Sequence, residues 1–182
     1  MANAIGMVEY TTVSTGIQAA DLMVKTAAVS LIEAQVVCPG KYIVLLSGEL
    51  SAVNAAVEAS KTTYGQRLID SFVLGNPHDS IFPALYGAVE VENPHALGVI
   101  ETYSGAAAIV AADTAAKTAM VQLVELRIAR GMCGKSYLLL TGEVAAVQAA
   151  IDKAKQAAGE SGMLLDSSVT PNPDPKLWET IL

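Results

Sequence analysis

The sequence has few charged residues, few aromatic residues and only two cysteines. Of its 182 residues, 16% are charged and 5% are aromatic, and the net charge is −7. A nucleic-acid surface needs clustered Lys and Arg, and no basic run occurs here, so the composition argues against nucleic-acid binding. Two cysteines without a secretion signal favour a cytoplasmic protein with no structural disulfide.

Long uninterrupted apolar segments are also missing. The first residues lack a charged region followed by an apolar stretch, which argues against a signal peptide. The longest apolar segment, 105–124, contains Asp113 and Lys117 and is too polar to span a membrane. Hydrophobic residues nevertheless make up 52% of the chain, and many are Ala and Val. This composition suits tight packing and buried contacts between subunits.

An internal repeat is the main feature of the sequence. Residues 4–9 return at 96–101, and the same offset carries through to Glu33 and Glu125. The repeat predicts two copies of one domain, at 1–91 and 92–182, with a boundary near Glu92. After small shifts of register the later matches are Gly40-Lys41 with Gly134-Lys135, Gly48-Glu49 with Gly142-Glu143, Asp70-Ser71 with Asp166-Ser167, and Asn76-Pro77 with Asn172-Pro173.

The sequence pattern of each copy predicts strands and helices in the order β-α-β-β-α-β. This is the ferredoxin-like plan of the α+β class, an α/β sandwich with one sheet and both helices on one face. The third strand is apolar throughout and is expected at the centre of the sheet. In the first copy the predicted strands are 3–10, 31–38, 42–47 and 66–74, and the predicted helices are 15–29 and 49–63.

The first predicted helix has an N-cap and an apolar face. Ser14 or Thr15 is expected as the N-cap, because a hydroxyl there can accept a backbone N–H. The apolar residues at helical spacing are Ile17, Ala20, Val24 and Ala28.

Both copies resemble the bacterial microcompartment (BMC) shell domain. The first copy carries Ile5-Gly6-Met7-Val8-Glu9, Ala20-Asp21 with Lys25, Gly40-Lys41, and Gly48-Glu49 with Ala52-Val53. The second carries Leu97-Gly98-Val99-Ile100-Glu101, Asp113, Lys117, Gly134-Lys135, Gly142-Glu143 and Val147. The resemblance spans nearly the whole chain. It implies a structural protein and not an enzyme, located in a microcompartment shell.

Tandem members of that family form homotrimers that look like hexamers, with a pore on the three-fold axis. The tiles pack edge to edge with other shell proteins. The unpermuted strand order is similar to the tandem subgroup of iron–sulfur-binding shell proteins from propanediol-utilisation microcompartments. The resemblance therefore also implies contact with encapsulated redox enzymes.

The segment Val37-Cys38-Pro39-Gly40-Lys41 resembles the loop in which that subgroup places a cluster-binding Cys beside the pore. Thiolates are the usual ligands of iron–sulfur clusters. Pro39 favours an extended Cys38, and Gly40 permits a tight turn. The resemblance implies one 4Fe–4S cluster per trimer, held by three Cys38 side chains. Two alternatives stay open: Cys38 is an ordinary thiol at a strand end, and the pore is a metal-free metabolite conduit.

The second copy supplies the other expected pore loop, with Met132, Cys133 and Gly134. Cys133 lies one residue before the Gly-Lys pair, whereas Cys38 lies two before it, so the two thiols are out of register. Cys133 is either a small pore-loop residue or an additional thiol near the pore.

Lys25 and Lys117 each follow an Asp by four residues, which predicts an ion pair on one helix face. The resemblance implies that both lysines lie at tile-edge contacts. The Arg that the family often carries near the end of the domain is replaced by Asn76-Pro77-His78 and Asn172-Pro173-Asp174. His78 and His95 are expected as solvated loop residues.

The expected function is a shell tile whose pore passes electrons or an iron–sulfur cluster across the shell. A function of another class also stays open: a trimeric ferredoxin-like regulatory or small-molecule-binding protein. The sequence contains no nucleophile elbow, phosphate-binding loop or HExxH motif.

Overall fold

A computed structural model describes residues 4–91 and 94–182, and the chain divides into two units. The first unit contains residues 4–77 together with Ala129–Gly134. The second contains the described part of His78–Ile128 together with Lys135–Leu182. The predicted boundary near Glu92 lies outside the described residues.

The first unit has the predicted order of elements, so the ferredoxin-like plan is confirmed. A short 3-10 turn, Gly65–Arg67, precedes its last strand. The elements are β1 (Ala4–Tyr10), α1 (Val13–Thr26), β2 (Val29–Val37), β3 (Lys41–Gly48), α2 (Leu50–Tyr64) and β4 (Leu68–Gly75).

One antiparallel sheet forms the base of the first unit, with strand order β2-β3-β1-β4. The central place predicted for the third strand is confirmed, because β3 pairs with both β2 and β1. Its residues 43–46 are buried, as a strand flanked on both edges requires. The edges of the sheet are β2 and β4.

The side of α1 that packs inwards shares only Ala20 with the predicted apolar face. The buried residues are Gly16, Ala19, Ala20 and Met23, which recur at the spacing of one helix face. Small side chains on this face let the helix lie close to the sheet, where Tyr42 contacts it. Ile17 and Val24, which were expected on the buried face, are exposed.

The predicted ends of α1 also need correction. The helix begins at Val13 with Thr12 as the N-cap, two to three residues before the expected Ser14 or Thr15. It ends at Thr26, so Ala28 lies beyond it. Thr12 is extended and its side chain makes no capping hydrogen bond, so no side-chain cap fixes this end. In the second repeat Ser104 occupies the N-cap and accepts a hydrogen bond from Ala107 N–H at 3.0 Å.

The second unit repeats the plan and adds two short helices. Its sheet has the order β6-β7-β5-β8. Within the described residues, no helix is both long and apolar enough to cross a bilayer. The elements are α3 (Ile81–Leu85), β5 (Ala96–Thr102), α4 (Gly105–Thr118), β6 (Val121–Ile128), β7 (Ser136–Gly142), α5 (Val144–Glu160), β8 (Leu164–Thr170) and α6 (Pro175–Ile181).

The close approach of α1 to the sheet depends on Gly16. A Cβ atom there would lie 2.3 Å from Cδ1 of Tyr42 and 2.4 Å from its Cβ. We expect Gly16→Ala to lower the free energy of unfolding by about 1–3 kcal/mol, because Tyr42 has to move. Denaturant titration measures the change.

Gly65→Ala is the matched control. Gly65 has a right-handed backbone, and nothing lies within 4 Å of an added Cβ. Its substitution should change the same free energy by less than about 1 kcal/mol. Equal stabilities of the two variants would contradict the described packing of α1.

Candidate functional site

The two predicted pore loops lie against each other within the first unit. The first loop follows β2 and contains Cys38, Pro39 and Gly40. The second contains Met132, Cys133 and Gly134. Cys38 N–H donates to the carbonyl of Ala129 at 3.0 Å, and Lys41 Nζ donates to the carbonyl of Gly134 at 3.1 Å. The structure therefore brings one loop from each repeat into a single site.

The first loop turns sharply at Gly40. Its φ is +106°, in the region that favours glycine, and its N–H donates to the carbonyl of Val37 at 2.9 Å. The Cys38–Pro39 peptide bond is cis. The Cys38 side chain is partly buried at this turn.

The second loop takes an irregular path through several positive φ angles. They occur at Ala129, Gly131, Cys133 and Gly134. At Gly134 a Cβ atom would lie 2.9 Å from Cε of Lys41 and 3.1 Å from Cδ of Pro39. Glycine at this position thus permits both the backbone angle and the contact between the loops.

A buried ion pair anchors this contact to the sheet. Nζ of Lys41 lies 2.8 Å from Oε1 of Glu9, which is fully buried in β1. The same ammonium donates to Gly134, so it links β1 to the second loop. Lys135, the repeat equivalent of Lys41, is exposed. The two repeats therefore use their shared Gly-Lys pair differently.

A second ion pair fixes the start of the second loop. Nη2 of Arg130 lies 3.1 and 3.2 Å from the two carboxylate oxygens of Glu33 on β2. The Glu33 side chain is almost completely buried, whereas the Arg130 side chain is half-exposed. Arg130 is therefore held beside the Cys38 loop with part of its guanidinium open to solvent.

Cys38 and Arg130 line one cavity of about 380 Å³. The other lining residues are apolar, so the cavity combines one thiol and one guanidinium with a hydrophobic wall. Its lining is Val36, Val37, Cys38, Pro39, Gly40, Arg130 and Gly131.

A cluster would need thiols from several chains. Cys38 is partly buried and Cys133 is exposed, and neither forms a disulfide. Among residues 4–91 and 94–182, no group of three His, Cys, Asp or Glu is arranged to hold a metal ion. The donor chemistry of Cys38 fits an iron–sulfur ligand only where other copies of the chain bring further thiolates to the same point.

The strand that follows the second loop carries Tyr137, whose neutral phenol form is stabilised. Tyr137 on β7 donates to Oε2 of Glu125 on β6, and the Arg127 guanidinium lies 5.3 Å from the centre of its ring. Burial first, and then the bond to Glu125, raise the pKa of Tyr137 to about 12. The phenol therefore stays a hydrogen-bond donor at neutral pH.

Lys25 and Lys117 lie near the ends of α1 and α4. Each forms the expected pair with its Asp, at 2.6 Å for Asp21 and 2.7 Å for Asp113. The two pairs differ in environment. Asp21 is exposed, whereas Asp113 is buried and its Oδ1 also accepts the backbone N–H of His78 at 2.8 Å.

Neither histidine lies among the loop residues. Nδ1 of His78 is 2.8 Å from Oγ of Ser80. The exposed His95 ring lies 3.9 Å from a carboxylate oxygen of Glu143. His78 is therefore less solvated than expected, because its backbone fastens a loop to α4.

Sequence reasoning favoured a structural role for Glu9 but missed the pairing of Lys41 with Glu9 and the part that Arg130 takes in organising the site. The recurrence of Glu and Gly-Lys in both repeats was a usable signal for the first two residues. Arg130 had no such signal, because it lies where the second loop is two residues longer than the first.

Removal of Lys41 would leave the buried carboxylate of Glu9 without its ammonium. We expect Lys41→Met to lower the free energy of unfolding by about 3 kcal/mol, because loss of one partner of a buried ion pair costs this order of energy. Lys135→Met at the exposed equivalent position should change it by no more than about 0.5 kcal/mol. If the two variants were equally stable in a denaturant titration, the anchoring role of Lys41 would be wrong.

Comparison with known proteins places this geometry in a family. The family model of the BMC domain matches residues 4–77 and again residues 96–173. The bacterial microcompartment shell protein PduT of Citrobacter freundii is 40% identical over 182 residues, which covers 100% of this chain and 99% of that protein. The carboxysome shell protein CsoS1 of Prochlorococcus marinus is 40% identical over 88 residues, or 47% of this chain and 85% of its own length.

Solved structures agree with this result. A microcompartment protein from Desulfitobacterium hafniense is 47% identical and superposes with a TM-score of 0.83, over 97% of this chain and 98% of that one. A fused permuted hexameric shell protein from the RMM microcompartment shares the fold, with a TM-score of 0.66 and 22% identity over 86% of this chain and 81% of its own. The chain therefore belongs to the BMC-domain family of bacterial microcompartment shell proteins and carries two BMC domains in tandem.

Proposed function

We propose that this protein is a structural tile of a bacterial microcompartment shell. Three copies form a ring of six BMC domains, and Cys38 from each copy binds one iron–sulfur cluster in the central pore. The tile packs with other shell proteins and passes electrons or a cluster across the shell. A full-length relative named as a microcompartment shell protein supports the structural role.

The main support for the ring is a difference in exposure between equivalent residues of the two repeats. In the second unit Ile109, Leu123 and Ile128 are at most 1% exposed. Their counterparts in the first unit form an open patch: Ile17, Leu31 and Val36 are 54%, 43% and 56% exposed. The same kinds of apolar side chain at the same places of the same fold are thus covered in one repeat and uncovered in the other.

Helix α3 packs against β6 and α4, the elements that carry these buried residues of the second unit. Because the two repeats have the same fold, an apolar surface on which a helix packs in one repeat can accept similar packing in the other. A second copy of the chain can provide that cover for the open patch. A contact of this head-to-tail kind generates a closed ring when its rotation allows.

Full burial of an aliphatic side chain contributes about 1.5–3 kcal/mol. The three residues of the open patch are each about half exposed. Covering them therefore stabilises one contact by about 3 kcal/mol before other contributions are counted. This burial is one favourable contribution to association, which has to offset a cost of about 4–15 kcal/mol in lost translational and rotational freedom.

The chain's own residues prepare Cys38 for a shared site. The bond from its N–H to Ala129 and the turn at Gly40 fix the backbone on both sides of the thiol. Arg130 lines the same cavity as Cys38 and is held there by its ion pair with Glu33. A 4Fe–4S cluster supplies one-electron redox chemistry when bound, and three symmetry-related thiolates suit three of its irons.

The open patch predicts that Leu31→Asp disrupts the trimer. A carboxylate in an apolar contact should weaken association by at least about a hundredfold, because the buried charge lacks a partner. Native mass spectrometry measures the assembly, with wild-type particles expected at three chains of 18.8 kDa each. Met120→Asp is the control, because Met120 is 95% exposed and lies outside the patch.

A wild-type monomer would contradict the shell-tile proposal. It would favour the alternative of a regulatory or small-molecule-binding protein.

Binding of the proposed cluster should depend strictly on Cys38. Anaerobically purified wild-type protein should contain about four irons and four sulfides per three chains, with an EPR signal after reduction. Cys38→Ser should abolish both, whereas Cys133→Ser should retain both. An intact trimer that stays free of iron after anaerobic reconstitution would reject the cluster and favour the metal-free metabolite pore.

A further inference from the structure

Helix α6 is the second-repeat counterpart of α3. The match of Asn76-Pro77 with Asn172-Pro173 continues beyond the last strand of each repeat. At the same offset Ile81 corresponds to Leu177, Phe82 to Trp178, and Leu85 to Ile181. The two helices thus present apolar side chains at the same three positions.

Helix α3 binds to the repeat that follows it in the chain. It packs against β6 and α4 of the second unit, where Ile81 and Leu85 are buried. The loop before it is fastened by the hydrogen bond from His78 N–H to Oδ1 of Asp113. The end of the first repeat therefore covers the start of the second.

Helix α6 has no comparable partner among the described residues. None of the described helices or strands packs against it as closely as β6 and α4 pack against α3. Trp178 is its one buried residue, and Leu177 is 42% exposed. A cavity of about 870 Å³ lies beside it, with Trp178, His95 and Glu143 in its wall.

The surface equivalent to the α3 binding site is present and uncovered in the first unit. It includes Leu31 and Val36 of the open patch, which match residues of β6. It also includes Asp21, the match of Asp113. Asp21 holds Lys25 through Oδ2, as Asp113 holds Lys117, and no other partner of Asp21 lies within the described ranges. The acceptor that fastens α3 thus has an exposed equivalent.

We propose that α6 of one copy binds to β2 and α1 of the next copy in the ring. Leu177 and Ile181 cover Leu31 and Val36, and the backbone N–H of Asp174 donates to Asp21. Asp174 is the residue that matches His78. This proposal rests on the proposed trimer, because the repeat that follows α6 in the ring is the first repeat of another copy. It makes the C-terminal helix a clasp between subunits.

A photo-crosslinker tests the location of α6 directly. Leu177 of the full chain is replaced by p-benzoylphenylalanine, and equal amounts of ¹⁴N- and ¹⁵N-labelled trimers are dissociated, reassembled and irradiated. The expected products join residue 177 to a peptide of β2 or α1, and about half of them combine the two isotopes. Products that stay within one isotope, or that join residue 177 to another region, would overturn the proposal.

Matched substitutions on α6 test its energetic role. We expect Leu177→Asp to weaken trimer association at least about tenfold in sedimentation equilibrium. Leu182→Asp should leave association within about twofold, because its counterpart Tyr86 is 50% exposed beside the bound α3. Equal effects of the two variants would contradict a specific clasp.

The backbone hydrogen bond has its own readout in amide hydrogen exchange. In the trimer, Asp21→Ala should speed exchange of the Asp174 amide about tenfold and leave the His78 amide unchanged. Asp113→Ala should speed exchange of the His78 amide and leave the Asp174 amide unchanged. Unchanged exchange at Asp174 in the Asp21 variant would reject the bond.

The outcomes separate this proposal from the trimer itself. A wild-type trimer that Leu31→Asp disrupts, with residue 177 crosslinked elsewhere, would overturn the clasp and leave the trimer intact. A wild-type monomer would overturn both.

Discussion

The proposed ring depends on one apolar surface that occurs twice in the chain and is covered only once. In the second unit its residues Ile109, Leu123 and Ile128 are buried, and α3 packs against the elements that carry them, β6 and α4. In the first unit the equivalent Ile17, Leu31 and Val36 are open to solvent. Because both units have the same fold, we infer that the open copy binds a helix as the covered copy does. The hydrophobic effect then favours association without any change of fold. A tandem duplication that covers one surface and leaves its equivalent open is suited to ring formation.

The loop site follows from the same duplication, but there the two copies have diverged. Lys41 pairs with the buried Glu9 and bonds to Gly134, whereas Lys135 is exposed. One repeat thus supplies the anchor and the other supplies the loop that it holds. Cys38 lies at this junction, with a backbone fixed by hydrogen bonds on both sides. A single thiol on a fixed loop becomes a useful metal ligand only when symmetry brings identical thiols to it, so the proposed redox role depends on the ring.

Much of the fold could be predicted from the sequence, because each helix and strand occurs in both copies of the repeat and is therefore predicted by two sequence patterns. The order of strands and helices, the central β3 and the turn at Gly40 all follow from local patterns. The buried face of α1 did not, because Ile17 and Val24 look like core residues in a pattern that cannot separate core from interface. The pairs Lys41–Glu9 and Arg130–Glu33 join residues far apart in sequence, so no local spacing marks them. The structure also shows that α3 packs against the following repeat. The proposed role of α6 rests on this contact, because the sequence of α6 alone does not indicate it.

A crystal structure of the anaerobically purified protein tests the central claim most directly. We expect a three-fold ring in which the sulfur atoms of three Cys38 side chains surround the axis and the patch of Ile17, Leu31 and Val36 is buried between copies. A particle without three-fold symmetry, or a ring with Cys38 far from its axis, would contradict it.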